Sequence, residues 1–214
     1  RAPLHALILD LDGVLADTEP IHERSWDSVI TGISAERVAR ERSKWAGMAS
    51  AAIARELIAT FGLPQTVEEL LREKRRRFRE ILHEELMPFE GLAEELARWK
   101  DFPLALATSA SRPEALHLLE RLQLPIDFRH VVTSDDVARS KPAPDCYLLA
   151  ARLLKKKPED CAAIEDSAHG MRAAVAAGLR VLAVSESSLE FLPQGVERVF
   201  PTTVEALRWL RNGR

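Results

Sequence analysis

The chain has 214 residues, of which 46% are hydrophobic and 29% are charged, as in an ordinary folded protein. Its formal net charge of −3 gives no reason to expect nucleic acid or a membrane surface as a partner, and no apolar run is long enough to span a bilayer. The two cysteines, Cys146 and Cys161, lie in apolar segments without metal-ligand spacing. We therefore expect a reduced, cytoplasmic protein, and the lack of a repeat or heptad pattern favours a monomer.

The first predicted element is a short buried strand that ends in acidic residues. The apolar run HALILDL begins at His5, and Asp10, Asp12 and Gly13 lie at its end. Side chains two apart in a strand point to the same side, so the two carboxylates converge, while Gly13 permits a sharp turn or the close approach of a ligand. Buried carboxylates are costly unless a cation meets them, although on this stretch alone they could also just cap a turn. A calcium loop does not fit, because its first ligand position would be Ile8, within the strand.

Residues 17–87 interrupt the strand pattern with amphipathic helices. Three stretches have helical periodicity, and none contains a convincing strand: PIHERSWDSVI, SAAIARELIATFG and VEELLREKRRRFREILHEEL. We predict that residues 17–87 form a helical cap domain, inserted into a core domain made of residues 1–16 and 88–214. Such an insertion would lie over the carboxyl ends of the strands, where open α/β folds bind their ligands.

From about Phe102 onward, short apolar runs alternate with helical patterns. The runs FPLALAT, HVVTS, CAAIED and RVLAVS are mostly continuous, as in strands that are buried on both faces. Between them, Ser111 and Glu114 form a capping box at the start of one helical pattern, and Gly178 follows the end of another. This alternation predicts an α/β fold with a doubly wound, Rossmann-like parallel sheet.

Polar residues lie at the ends of the later strands and in a nearby loop. Thr108 and Ser109 follow the second strand, where a hydroxyl and free helix-terminal N–H groups suit a phosphate. Lys141 lies in the proline-stiffened loop SKPAPD, and Glu165 and Asp166 end the fourth strand. Taken singly, these residues could be a turn former, a solvated lysine and helix-capping acids. All of them are expected at the same edge of the sheet, where so many polar residues would rarely meet without a common function.

These motifs together resemble the haloacid dehalogenase superfamily over nearly the whole chain. The matching positions follow the order of the family's four motifs: Asp10-Leu11-Asp12-Gly13-Val14, then Thr108, then Lys141, then Glu165-Asp166-Ser167. The helical insertion is similar to the cap of the subgroup that contains β-phosphoglucomutase and many sugar-phosphate phosphatases.

The resemblance implies Mg²⁺ as the cofactor and an aspartate as the nucleophile. The Asp10 and Asp166 side chains and the Asp12 carbonyl would hold the ion, with Glu165 as a further or water-mediated ligand. Asp10 would attack phosphorus to form an aspartyl-phosphate, while Asp12 would protonate the leaving alkoxide and later deprotonate water. Displacing a halide requires no proton, so the presence of Asp12 favours phosphoryl transfer over dehalogenation.

The same resemblance gives roles to the phosphate-binding residues. Thr108, the Ser109 amide and Lys141 would hold the phosphoryl oxygens during transfer, and Lys141 would also neutralise Asp10. Gly13 would let the phosphate approach the backbone of the first motif.

We expect the cap to select the substrate. Thr18, His22 and Trp26 are spaced by four on one helix face, in an arrangement that resembles the mutase subgroup, although a packed structural histidine is the alternative. Lys74 falls on the apolar stripe of the last cap helix. It either contacts substrate or buries only its aliphatic stem and keeps its ammonium group in solvent. The pattern predicts that this stripe includes Leu71, Phe78 and Leu82. The other basic residues of REKRRRFRE alternate with glutamates, which is typical of a solvated face.

The expected function is that of a Mg²⁺-dependent phosphatase acting on small phosphorylated metabolites, namely sugar or polyol phosphates. A phosphomutase is the alternative, and a non-catalytic metal- or phosphate-binding regulatory module is a third. β-Phosphoglucomutases carry an arginine soon after an early cap glycine. Here Gly47 is followed by Met48-Ala49-Ser50-Ala51 and the next arginine is Arg55, which favours hydrolysis.

Overall fold

The computed structural model describes residues 3–42, 45, 50–185 and 192–213. The chain divides into two compact units. One, the core unit, comprises Arg1–Asp17 and Met87–Arg214, and the other, the cap unit, comprises Thr18–Leu86.

The described part of the core unit contains a six-stranded parallel sheet. Its strands are β1 (Ala6–Leu9), β2 (Leu104–Ala107), β3 (Val131–Val132), β4 (Cys161–Glu165), β5 (Arg180–Val184) and β6 (Val196–Phe200). They lie in the order β3-β2-β1-β4-β5-β6, which is the strand order of the Rossmann fold. The sheet therefore confirms the predicted doubly wound α/β class. β6 was not predicted, because most of its residues are exposed or half-buried and it lacks a continuous apolar run.

In the core unit, helices follow most of the strands and pack on the sheet. The described helices are α1 (Glu19–Asp27), α2 (Ala35–Arg42), α3 (Ser50–Phe61), α4 (Val67–Glu85), α5 (Leu92–Leu96), α6 (Arg112–Leu122), α7 (Asp145–Leu153), α8 (Ala168–Ala176) and α9 (Thr203–Asn212). Ala6 and Ile8 of β1 share a buried cluster with residues of α7 and α8, which explains why β1 is apolar throughout. None of these described helices is both long and apolar enough to cross a membrane.

Local sequence signals account for several helix ends. The Ser111 N–H donates to Glu114 Oε2 at 3.1 Å, which confirms the capping box at the start of α6. Gly178 lies two residues beyond the end of α8 and has a φ of +86°, a conformation that favours glycine after a helix.

The cap unit consists of α1 to α4 around its own apolar cluster, which includes Trp26, Ile53 and Leu57. α2 was not predicted because only Val38 of its eight residues is buried. On α4 the buried residues are Leu70, Lys74, Phe78 and Leu82, so the stripe begins at Leu70 rather than at Leu71. Arg76 pairs with Glu73 and Glu80 at 2.5 Å each, as expected for a solvated charged face.

The last helix is bonded to the segment that follows β1. The buried Thr203 hydroxyl, at the start of α9, donates to the Val14 carbonyl at 2.7 Å. Farther along α9, Arg211 Nε donates to the buried Glu95 carboxylate at 2.9 Å. The Thr203 bond therefore fixes the backbone at the end of the first acidic motif, and the Arg211 bond joins α9 to α5.

Candidate active site

Three neighbouring parallel strands bring their acidic and hydroxyl residues to one edge of the sheet. β1 pairs on one side with β2 and on the other with β4, and the Asp10 N–H continues the ladder by donating to the Ile164 carbonyl at 3.1 Å. Asp10 therefore leaves the sheet beside Thr108 and Glu165. This edge includes the point where the strand order reverses, which is where doubly wound sheets bind their ligands.

A buried lysine joins two of the acidic side chains. Lys141 Nζ donates to Asp10 Oδ1 at 2.6 Å, to Glu165 Oε1 at 2.5 Å and to the Ala107 carbonyl at 2.9 Å. The Lys141 side chain is only 4% exposed, so these bonds form away from bulk water. All three ammonium hydrogens have an acceptor, and the ammonium position is fixed.

Three carboxylates surround this lysine. Asp10, Glu165 and Asp166 each offer an oxygen, and these oxygens lie within 4.8 Å of one another. Burial, together with the charge of Glu165, raises the pKa of Asp10 well above its usual range and that of Asp166 to about 8. Although burial opposes it, the charges of Asp10 and Glu165 raise the pKa of Lys141 above its usual value. The cluster thus has more negative charge than one lysine balances.

This donor set fits a hard divalent cation such as Mg²⁺. The available donors are oxygens, which Mg²⁺ prefers, and a cation would supply the positive charge that the cluster lacks. Asp10, Glu165 and Asp166 are the side chains whose oxygens lie close enough together to hold it. No nitrogen or sulfur ligand set of the kind that selects zinc is found among the clustered residues.

Two glycines leave room for the acidic side chains. Gly13 has a φ of +73°, and a Cβ at this position would overlap the Asp166 carboxylate. A Cβ at Gly170, in the first turn of α8, would overlap the Glu165 carboxylate. The backbone therefore packs directly against both acids, and the role of Gly170 was not recognised in the sequence.

The remaining predicted core residues lie along the same edge. The charge of Asp12 contributes to the raised pKa of both Asp10 and Asp166, which places its carboxylate near theirs. Thr108 is 2% exposed and its Oγ1 accepts from the Ala110 N–H at 3.0 Å. Ser109, the next residue, is exposed.

One residue of this cluster, Tyr147 on α7, was not predicted from the sequence. Its side chain is fully buried, and its hydroxyl donates to Glu165 Oε1 at 2.6 Å. A tyrosine inside an otherwise apolar helix must find a partner for its hydroxyl, so its position in CYLLAARLL was the available signal.

The predicted cap residues form a cluster of their own within the cap unit. Lys74 is 3% exposed, and its Nζ lies 2.8 Å from His22 Nδ1 and 4.7 Å from the centre of the Phe78 ring. The His22 ring stacks on the Phe78 ring, with 4.3 Å between the ring centres. The backbone N–H of His22 donates to the backbone carbonyl of the buried Thr18. Gly47, Met48 and Ala49 lie outside the described residues, so the significance of the missing arginine stays a prediction.

The acidic cluster makes the stability of the metal-free protein depend on pH. The folded state holds protons on Asp10 and Asp166 more tightly than the unfolded chain does, whose aspartates titrate near 3.8. The free energy of unfolding should therefore fall as pH rises from about 4 to about 8. Lys141 stays charged across this window and adds no slope.

This expectation is checked by measuring Tm between about pH 5 and pH 8, with a chelator and with saturating Mg²⁺. The Tm should fall with pH in chelator and fall less with Mg²⁺, and Asp166→Asn should flatten the chelator curve. A chelator curve that is level or rises over this range would contradict the charge balance described above.

The fold and the acidic cluster define the class: a Rossmann-like core with a carboxylate-rich centre at its switch point and a helical insertion after the first strand. The sequence model of the haloacid dehalogenase-like hydrolase family matches residues 4–178, and the chain belongs to this family. The resemblance inferred from the motifs is thereby confirmed.

Individual relatives come from the β-phosphoglucomutase-like subgroup. The chain is 31% identical over 195 residues to the β-phosphoglucomutase of Bacillus subtilis strain 168, covering 86% of this chain and 84% of the relative. It is 32% identical over 174 residues to the fructose-1-phosphate phosphatase YqaB of Escherichia coli K12, covering 81% and 92%. The crystal structure of CbbY from Rhodobacter sphaeroides in complex with phosphate superposes with a TM-score of 0.77 at 28% identity, covering 94% and 96%.

Proposed function

We propose that this protein is a Mg²⁺-dependent phosphatase that hydrolyses small phosphorylated metabolites, namely sugar or polyol phosphates. The observation that carries the proposal is the Asp10 carboxylate, bonded to Lys141 at 2.6 Å inside a cluster of acidic oxygens. A relative named for fructose 1-phosphate and a structure that holds phosphate support the choice of substrate class.

Asp10 is the proposed nucleophile. One of its oxygens attacks phosphorus, so that an Asp10–phosphorus bond forms while the bond from phosphorus to the ester oxygen breaks. Lys141 holds the attacking carboxylate in place and offsets its charge as the anionic phosphoryl group approaches. A bound Mg²⁺ would supply further charge neutralisation at the phosphoryl group.

Asp12 is the proposed general acid and base. It donates its proton to the leaving alkoxide oxygen in the first step. In the second step Asp12 removes a proton from water, whose oxygen attacks phosphorus, and the bond from phosphorus to Asp10 breaks. Phosphate leaves, and both aspartates return to their starting protonation states.

The remaining proposed contacts hold the two ends of the substrate. The Thr108 hydroxyl, the Ser109 amide and the Gly13 backbone would bind phosphoryl oxygens. Thr18, His22 and Lys74 are the candidates for contacting the rest of the metabolite, and the burial of Lys74 beside an imidazole supports this role. A monomeric, cytoplasmic enzyme is part of the proposal, and the two buried free cysteines support the location.

A phosphomutase is the second candidate, and the 31% identity to a β-phosphoglucomutase favours it. A mutase must retain a bisphosphate intermediate and return a phosphoryl group to it. The lack of an arginine between Gly47 and Arg55 supports hydrolysis instead, because a second phosphate would lack that cation.

The two candidates differ in whether phosphate is released. We expect purified protein to release phosphate from several sugar and polyol phosphates with Mg²⁺ and to release none with a chelator. In a parallel assay, conversion of glucose 1-phosphate is measured with and without a bisphosphate primer. Primer-dependent isomerisation with negligible phosphate release would show that the protein is a mutase and not a phosphatase. No reaction in either assay would favour a non-catalytic regulatory module.

A further inference from the structure

The Glu165 carboxylate accepts four hydrogen bonds from this chain. Oε1 accepts from Lys141 Nζ at 2.5 Å and from the Tyr147 hydroxyl at 2.6 Å. Oε2 accepts from the Ser167 N–H at 3.2 Å and from the Ser167 hydroxyl at 3.1 Å. An ionised carboxylate has about four acceptor positions, so the protein's own donors occupy all of them.

Packing also confines Glu165. The residue is fully buried, and Gly170 lies so close that a Cβ there would overlap its carboxylate. A metal ion could bind Glu165 directly only by displacing one of these four donors. The displaced donor would be the Tyr147 hydroxyl, the Lys141 ammonium, or the N–H or hydroxyl of Ser167 just before α8. Each of these losses would leave a polar group without its hydrogen-bond partner.

Asp166 differs from its neighbour in hydrogen bonding and in exposure, although a Cβ at Gly13 would overlap its carboxylate too. It is half-buried, and among the described hydrogen bonds none from another residue reaches its carboxylate. Asp166 therefore keeps acceptor positions that a cation can occupy, whereas Glu165 does not.

We propose that Tyr147 and Glu165 are positioning residues that fix Lys141 against Asp10, and that Glu165 does not itself bind the cation that Asp10 and Asp166 would hold. Of the two roles expected for Glu165, as a further or as a water-mediated metal ligand, this proposal excludes only direct binding. The Tyr147 hydroxyl donates to the Glu165 carboxylate, this carboxylate accepts from Lys141 Nζ, and Lys141 Nζ in turn donates to the Asp10 carboxylate. The Tyr147 ring adds a second contact, because its centre lies 5.1 Å from Lys141 Nζ.

Removing the Tyr147 hydroxyl should affect turnover rather than metal affinity. Glu165 would then be held at three positions instead of four, and Lys141 would be placed less accurately. This activity effect rests on the proposed function. Loss of one hydrogen bond to a buried charged group predicts that kcat falls about tenfold or more, with KM for the phosphate ester within about threefold of wild type.

The experiment compares Tyr147→Phe, Glu165→Gln and Asp166→Asn with wild type, using the full-length chain. The dissociation constant for Mg²⁺ alone is measured by isothermal titration calorimetry on metal-free protein, and kcat and KM are measured in parallel. Leu148→Ala, at an exposed neighbour on α7, is the control for general disturbance of that helix. We expect Asp166→Asn to weaken Mg²⁺ binding by about thirtyfold or more, and the other two variants to keep it within about threefold.

The calorimetric measurement does not depend on turnover, so the inference can fail separately from the proposed function. Loss of Mg²⁺ affinity in Glu165→Gln comparable to that in Asp166→Asn would show that Glu165 is a ligand. A Tyr147→Phe variant with kcat within about twofold of wild type would remove the positioning role. If Glu165→Gln does not fold, a crystal structure of wild type with Mn²⁺ decides: the ion should contact Asp10 and Asp166, and a bond from Glu165 to the metal would overturn the proposal.

Discussion

Asp10→Asn should lower phosphate release by at least about 10⁴-fold, because the amide that replaces the carboxylate cannot act as the nucleophile. The substitution conserves size, and its oxygen can still accept a hydrogen bond from Lys141. Burial and the charge of Glu165 already raise the pKa of Asp10, so the folded state favours an uncharged group at this position. We therefore expect the fold to survive, with Tm within about 5 °C of wild type.

The measurement is a phosphate-release assay with Mg²⁺, accompanied by a thermal melt. Asp101→Asn, which makes the same change at an exposed position on the core unit, is the matched control and should keep full activity. Unchanged phosphate release by folded Asp10→Asn would end the mechanistic proposal. Loss of activity with loss of the cooperative melt would instead indicate a structural role for the carboxylate.

Lys141→Met should damage both catalysis and stability. The lysine is the buried cation that contacts both Asp10 and Glu165, so its removal leaves two buried carboxylates without their counter-ion. Breaking a buried charge cluster in this way costs about 3–5 kcal/mol. The loss of a positioned positive charge next to the reacting groups predicts a fall in kcat of about 10²- to 10³-fold.

Saturating Mg²⁺ should recover part of the stability lost in Lys141→Met, because the cation screens the same carboxylates. Urea unfolding curves at neutral pH with chelator and with Mg²⁺ measure the effect. Lys155→Met, at an exposed lysine, is the control. A Lys141→Met protein as stable as wild type in chelator would show that Asp10 and Glu165 need no cation between them.

The site was predictable to the extent that it follows the strands. Asp10, Glu165 and Asp166 come at the ends of continuous apolar runs, and parallel pairing necessarily brings such ends together at one edge. Lys141 could be placed from its motif, but the three acceptors of its ammonium group depend on the path of the loop that carries it.

Other features depend on tertiary contacts that leave little trace in the sequence. Tyr147 looks like one more apolar residue of α7 until its hydroxyl is seen to reach β4. Gly170 sits inside a helix, where a glycine has no local purpose, and its role is to make room for a side chain from the preceding strand. The start of the α4 stripe at Leu70 likewise depended on how the helix is rotated against α1 and α3.

If a phosphoryl group passes through Asp10 during turnover, it can be trapped on that residue. Wild type would be mixed with a phosphate ester carrying a labelled phosphoryl group, quenched in acid during turnover and digested, and the labelled peptide would be identified by mass spectrometry. We expect label on the peptide that contains Asp10, and none in the Asp10→Asn variant. Label on another residue, or turnover without labelled protein at any quench time, would contradict it.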